Sequence, residues 1–257
     1  MVPWGKRECI LMSNNLTPVF VGCAGWSIPK AYGERFGEEG SHLERYARLF
    51  PGVEINSSFY RPHKPSTYER WAASVPEGFQ FAVKVPKTIT HTHRLRDAGA
   101  ELRDFLDECG HLGPRLGPLL VQLPPSLAFD EQTVAAFLTT LRAHFPGDVA
   151  CEPRHATWFA PGPDALLSEF SVARVAADPA VAPGAEEPGG WDGLAEYRLH
   201  GSPRIYYSAY PHDYLEATAQ KLAGSAAGGA QVWCIFDNTA EGAATGDALW
   251  VLDRVRD

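Results

Sequence analysis

The chain has 257 residues, 45% hydrophobic and 21% charged, with a formal net charge of −8, within the range of one large or two small ordinary soluble domains. This acidic balance gives no general electrostatic footprint for nucleic acid or for an anionic membrane and leaves room only for a local basic rim. No apolar run is long enough to cross a bilayer, and five cysteines without a CxxC pair point to reduced, buried thiols in a cytoplasmic protein rather than to disulfides or a zinc site.

Residues 1–17 have a basic start but no long apolar centre, so they read as a flexible leader rather than a signal peptide, with 18–257 as a single domain. Strand-like runs then recur over 19–26, 53–60, 79–86, 116–125, 148–155, 172–178, 195–201 and 231–238. Helical periodicity separates them over 41–50, 65–73, 100–112, 130–145, 163–170, 210–226 and 247–255, with Ser66 and Asp130 as expected N-caps. The interval 179–193 is rich in Pro and Gly and has no helical period. It is expected to be a loop in place of the sixth helix, either covering a site or serving as a plain connector.

Alternating strands and helices of this number predict a (β/α)8 TIM-like barrel. The alternative is a doubly wound open sheet. Against it, the glycines after the first strand, GCAGW, are not a GxGxxG opening a helix.

In such a barrel, side chains pointing inward near the strand C-termini build the site. At period two, Glu54 and Asn56 share a face opposite Val53 and Ile55. Lys84 follows Gln80 and Ala82 in phase, Gln122 interrupts an apolar run, and Glu152 pairs in phase with Arg154. Arg174 and Asp178 share a face, as do Glu196, Arg198 and His200, while Asp237 and Asn238 are alternatives on the eighth strand. Buried charges are costly unless paired, so this ring is either a ligand site or a self-neutralising ion-pair plug.

The motifs GCAGW, VEINSSFYR, FQFAVKVPKTITH, LGPLLVQLPPS, EPRHATW, YRLHG and FDNTAEGAATGDAL, in that order over 20–249, resemble the YecE-like family, domain of unknown function 72. The resemblance implies a TIM-like barrel and a soluble bacterial or archaeal protein, and implies no reaction. Pro153 stands where the family motif has an aromatic, which predicts a local bulge in the fifth strand, and Asp247 stands where the family usually has Asn.

Three chemistries fit these residues. The first is an enzyme (a hydrolase, lyase or isomerase) acting on a small polar or anionic substrate. Glu54 and Glu152 would be the acid/base pair, His200 a proton carrier, and Lys84, Arg154 and Arg198 the anion ligands. Trp26, Asn56, Tyr60, Arg61, His91, Gln122, His155, Asp178 and Asn238 would line the pocket. The second is a phosphodiester hydrolase holding a divalent metal with Glu54, Glu152, Asp178, His91 and His200, in the face of repulsion from Lys84, Arg154 and Arg198. The third is a non-catalytic ligand or nucleic-acid module using Arg61, Lys64, Lys87, Arg94 and Arg154. No other cofactor is expected, and the sequence carries no signal for oligomeric state.

Overall fold

The computed structural model describes residues 17–256, so the expected leader lies, save for Thr17, outside the described residues. In chain order the elements are β1 (Val19–Cys23), α1 (His42–Ala47), β2 (Gly52–Ile55), α2 (Pro65–Ala73), β3 (Gln80–Lys84) and α3 (Gly99–Gly110). They continue with β4 (Leu116–Gln122), α4 (Glu131–His144), β5 (Val149–Glu152), α5 (Pro163–Glu169), β6 (Val172–Arg174) and β7 (Ala176–Asp178). The last are β8 (Gly189–Gly190), β9 (Leu194–Leu199), α6 (His212–Ala227), β10 (Gln231–Phe236) and α7 (Ala243–Arg256).

The strands form two arcs, β2-β3-β4-β5-β6 with the short β8 antiparallel at its end, and β1-β10-β9-β7. The sixth expected strand breaks at Val175, so that β6 pairs with β5 while β7 pairs with β9. At the other junction β1 meets β2 through a parallel bridge between Ala24 and Glu54. Barrel neighbours are consecutive in the chain, without the reversal of strand order that a doubly wound sheet requires. The architecture is that of a TIM-like barrel.

Strand parity divides the core in two. Val21, Val53, Phe81, Val83, Val121 and Cys151 face outward to the helices, while Phe20, Ala82, Leu120, Ala150, Ala173, Val175, Leu194, Trp233 and Ile235 fill the barrel. Phe20 stacks on Trp233 at 4.6 Å between centroids. The thiols of Cys23, Cys109, Cys151 and Cys234 are free and buried, and burial pushes Cys23 up to about 12. No helix among the described residues is long and apolar enough to cross a membrane.

Several local expectations change. Asp130 caps α4 by accepting from the Thr133 amide at 2.9 Å, but Ser66 caps nothing, because Pro65 opens α2 and the cap position falls to Lys64. Pro at the first helical position is preorganised for that role. Pro153 produces no bulge: β5 ends at Glu152 in unbroken register with β4, and the irregular pairing lies between β3 and β4. α7 starts at Ala243, ahead of the expected 247. The 179–193 segment has no helix and acts as a connector on the outside of the barrel. Arg174, which parity assigned to the ring, instead holds this connector from outside. Its guanidinium donates to both Asp164 carboxylate oxygens and to the carbonyls of Gly184 and Glu187. Trp191, in the same connector, also lies away from the mouth. The Trp191 amide donates to the Val172 carbonyl, which places the residue by the start of β6, away from the strand C-termini.

The β1–β2 seam needs Gly22. A Cβ there would come within 2.1 Å of the Gly52 carbonyl oxygen, and backbone cannot swing aside as a side chain can. The buried Tyr46 hydroxyl braces the seam, accepting from the Cys23 amide and donating to the Gly52 carbonyl. Gly22→Ala is expected to destabilise by about 3 kcal/mol or more, beyond ordinary overpacking. A denaturant melt within 0.5 kcal/mol (roughly the noise of a surface substitution) would contradict this packing.

Candidate functional site

The strand ends bring Glu54, Lys84, Gln122, Glu152, Arg198, His200 and Asp237 to the C-terminal mouth, each at most 6% exposed. Arg198 is the hub. Its Nε and Nη2 donate to the two Glu54 oxygens, both at 2.9 Å, Nη1 donates to Glu152, and Nη2 also donates to Asp237 at 3.2 Å. Planar guanidinium geometry suits this forked pairing.

His200 sits between two carboxylates, with Nδ1 3.1 Å from Asp237 and Nε2 2.9 Å from Glu152. Burial alone would lower its pKa, but Glu152 and the bonds to Asp237 and Glu152 outweigh burial and raise it. Burial likewise pushes Glu152 up, yet Arg198, His200 and Arg154 hold it well below the usual carboxylate range. Asp237 is lowered against burial by His200 and Arg198. Gln122 donates to Glu152 at 2.9 Å, and Arg154 Nε donates to its other oxygen at 3.1 Å.

Two cations lie beside this network. Arg154, its side chain 23% exposed, reaches His200 Nε2 at 3.2 Å and the Tyr206 hydroxyl at 3.5 Å. Lys84 donates to Asn56 Oδ1 at 3.1 Å and lies 4.5 Å from the centre of the Phe59 ring. No carboxylate among the described residues forms an ion pair with Lys84. Burial first, and Arg198 second, lower its pKa. His91 is half-buried, bonds Thr90 Oγ1 at 2.9 Å, and meets Phe59 edge to face. Its pKa is lowered by burial and then by Lys84.

The structure thus joins Glu54, Gln122, Glu152, Arg154, Arg198 and His200 in one network, with the Lys84–Asn56 pair beside it. Tyr60, 72% exposed, and Arg61 stand at the rim after β2. Other expected lining residues have different partners. Trp26 packs edge-on against Trp71 and Phe81 in the outer layer. His155 caps its own turn by accepting from the Thr157 amide. Asp178 accepts from the Tyr210 hydroxyl at 2.8 Å. Asn238 donates to Ser208 and Asp247 outside the ring.

Asp237, not Asn238, faces inward, in phase with Trp233 and Ile235. That signal was present in the sequence once Trp233 is read as a barrel-filling residue. Tyr206 had no sequence signal; it reaches the site because the 201–211 segment turns back over His200, whose ring it meets edge to face.

Three carboxylates converge on Arg198, so a guanidinium takes up the lone pairs a divalent cation would need. Among the described residues no group of three or more His, Cys, Asp and Glu side chains is placed to hold a metal. The cleft of about 410 Å³ between α3 and α4, lined by residues such as Leu95, Arg96, Gln132 and Thr133, contains none of the ring.

Residues 20–257 match the family model described as "Protein of unknown function DUF72". The chain is 34% identical over 145 residues to UPF0759 protein YecE of Escherichia coli K12, and 29% identical over 153 residues to UPF0759 protein YunF of Bacillus subtilis 168. Each match covers 56% of this chain, and the chain spans about half the length of these relatives, 51% and 53%. Among solved structures, a DUF72 family protein of Enterococcus faecalis V583 superposes with a TM-score of 0.78 at 20% identity, covering 93% of this chain and 96% of that one. One from Thermotoga maritima MSB8 gives 0.77 at 22%, covering 93% and 99%. At those identities the likeness concerns the fold.

Proposed function

The chain belongs to the DUF72 family, and we propose that its barrel mouth binds a small polar or anionic substrate and turns it over by acid/base chemistry. One observation carries this reading. Arg198, His200 and Arg154 together balance Glu54, Glu152 and Asp237, which leaves Lys84 as a surplus cation at the opening, beside the partly exposed Arg154. A structural plug needs balanced charge, whereas a surplus of buried positive charge awaits an anion.

In this reading Glu54 and Glu152 anchor the hub. His200, flanked by two carboxylates, holds a proton at Nε2, beside Arg154 Nη2. A substrate oxygen displacing the Arg154 contact would meet that N–H. Phosphate, citrate and sugar phosphates are expected to raise the melting temperature, and neutral sugars to do so far less. Lys84→Met and Arg154→Leu are each expected to weaken anion binding about 10- to 100-fold, the worth of one charge-assisted bond. An unchanged melting temperature with every anion, or equal shifts in both variants, overturns the reading. Chelator is expected to leave the melting temperature unchanged, and a stoichiometric metal in the purified protein would favour the metal-dependent hydrolase instead.

A further inference from the structure

We propose that Lys84 is a nucleophile that forms an imine with a small carbonyl compound carrying an anionic group. This rests on the anion-binding reading above and names its substrate class. Lys84 ends β3, 4% exposed, with its ammonium held by one amide oxygen and an aromatic face. A lysine placed only to balance charge would touch a carboxylate, yet the three ring carboxylates bond Arg198 and Lys84 pairs with none.

Desolvation and a neighbouring guanidinium are the two conditions that make a lysine amine nucleophilic near neutral pH. Both act on Lys84, and its pKa is lowered accordingly. Ser58 fixes the strand end beneath it, donating to the Lys84 carbonyl at 2.7 Å and to the Ile55 carbonyl at 2.8 Å. Arg154, its side chain 23% exposed, is the cation that would hold the anionic group.

The step is balanced without redox chemistry. Lys84 Nζ, having released a proton, attacks the carbonyl carbon. The C=O π pair moves to oxygen, which takes up that proton to give a carbinolamine. The C–O bond then breaks, and oxygen leaves as water with a second proton from nitrogen. Ammonium plus carbonyl thus becomes iminium plus water.

The test incubates the full chain with pyruvate or dihydroxyacetone phosphate and sodium cyanoborohydride, then maps adducts by peptide mass spectrometry. Exposed Lys87 is the internal control. Adduct formation at Lys84 is expected to be about ten-fold faster than at Lys87 near pH 7, since desolvation and the neighbouring guanidinium favour the free amine there. Lys84→Met is expected to abolish that adduct. Should this variant fail to fold, Asn56→Asp decides. It retains the amine and the fold but sets a carboxylate on the ammonium, and is expected to slow trapping about ten-fold or more. Labelling of Lys84 no faster than of Lys87, or trapping unaffected by Asn56→Asp, overturns the proposal. Anion-induced stabilisation lost in Arg154→Leu, with no Lys84 adduct in the unaltered chain, would leave the anion site standing and remove only the imine. Absence of both removes both.

Discussion

Replacing Arg198 by methionine is expected to lower stability by about 3–5 kcal/mol, because it leaves buried carboxylates without their counter-charge. At roughly 2–4 °C per kcal/mol for a chain of this size, the melting temperature falls by about 6–20 °C. The loss shrinks in acid. In the unaltered protein the depressed pKa values of Glu152 and Asp237 mean that their stabilisation is present above the ordinary carboxylate range and is lost as pH falls through the folded values. Without the guanidinium, burial and mutual repulsion raise those pKa values, so lowering the pH protonates the carboxylates and relieves the variant. Glu54→Gln together with Glu152→Gln should restore part of the lost stability, since neutral amides need no counter-ion. Melts showing the same deficit at pH 5 and pH 8 would show that lost packing, and not lost charge, accounts for it.

The opposite result is expected one step down β9, where Glu196→Gln should stabilise the protein at neutral pH. Glu196 is fully buried, and neither of its oxygens has a hydrogen-bond partner among the described residues. It lies in register with Trp233, in the apolar layer beneath the ring. Burial, and then the charge of Glu54, push its carboxyl up to about 8 from an ordinary 4.5. With the folded value raised, its contribution is fully favourable below 4.5 and is lost progressively as pH rises toward 8. At pH 7 that loss is about 3 kcal/mol, taking about 1.4 kcal/mol per unit. Glutamine has the same shape and leaves the same polar atoms unpaired, so the difference isolates the proton. The variant is expected to match the unaltered protein near pH 4.5 and to exceed it by about 3 kcal/mol at pH 7. Denaturant melts that run parallel across that range would mean that Glu196 has a partner.

The fold itself was legible in the sequence because period-two and period-3.6 patterns are local. Each of the eight expected runs carries a strand, the sixth in two pieces, while the two-residue β8 falls inside the interval expected to be loop; the missing sixth helix was also legible, since a Pro- and Gly-rich stretch is poorly suited to helical hydrogen bonds. Parity also identified Glu54, Lys84, Glu152, Arg198 and His200, because each sits late in an otherwise apolar strand. Parity failed where a strand breaks. The split at Val175 turns Arg174 outward to Asp164, although its sequence neighbourhood looks like that of Arg198.

Which ring residue pairs with which was decided only in three dimensions. Glu54 and Arg198 are 144 residues apart, and no local rule specifies that guanidinium as the partner of three carboxylates. Once it is spoken for, Lys84 is the cation left without an acid. The sequence alone determined that charges would be buried at one end of a barrel; tertiary structure decided which of them remained uncompensated, because that depends on distances across the ring.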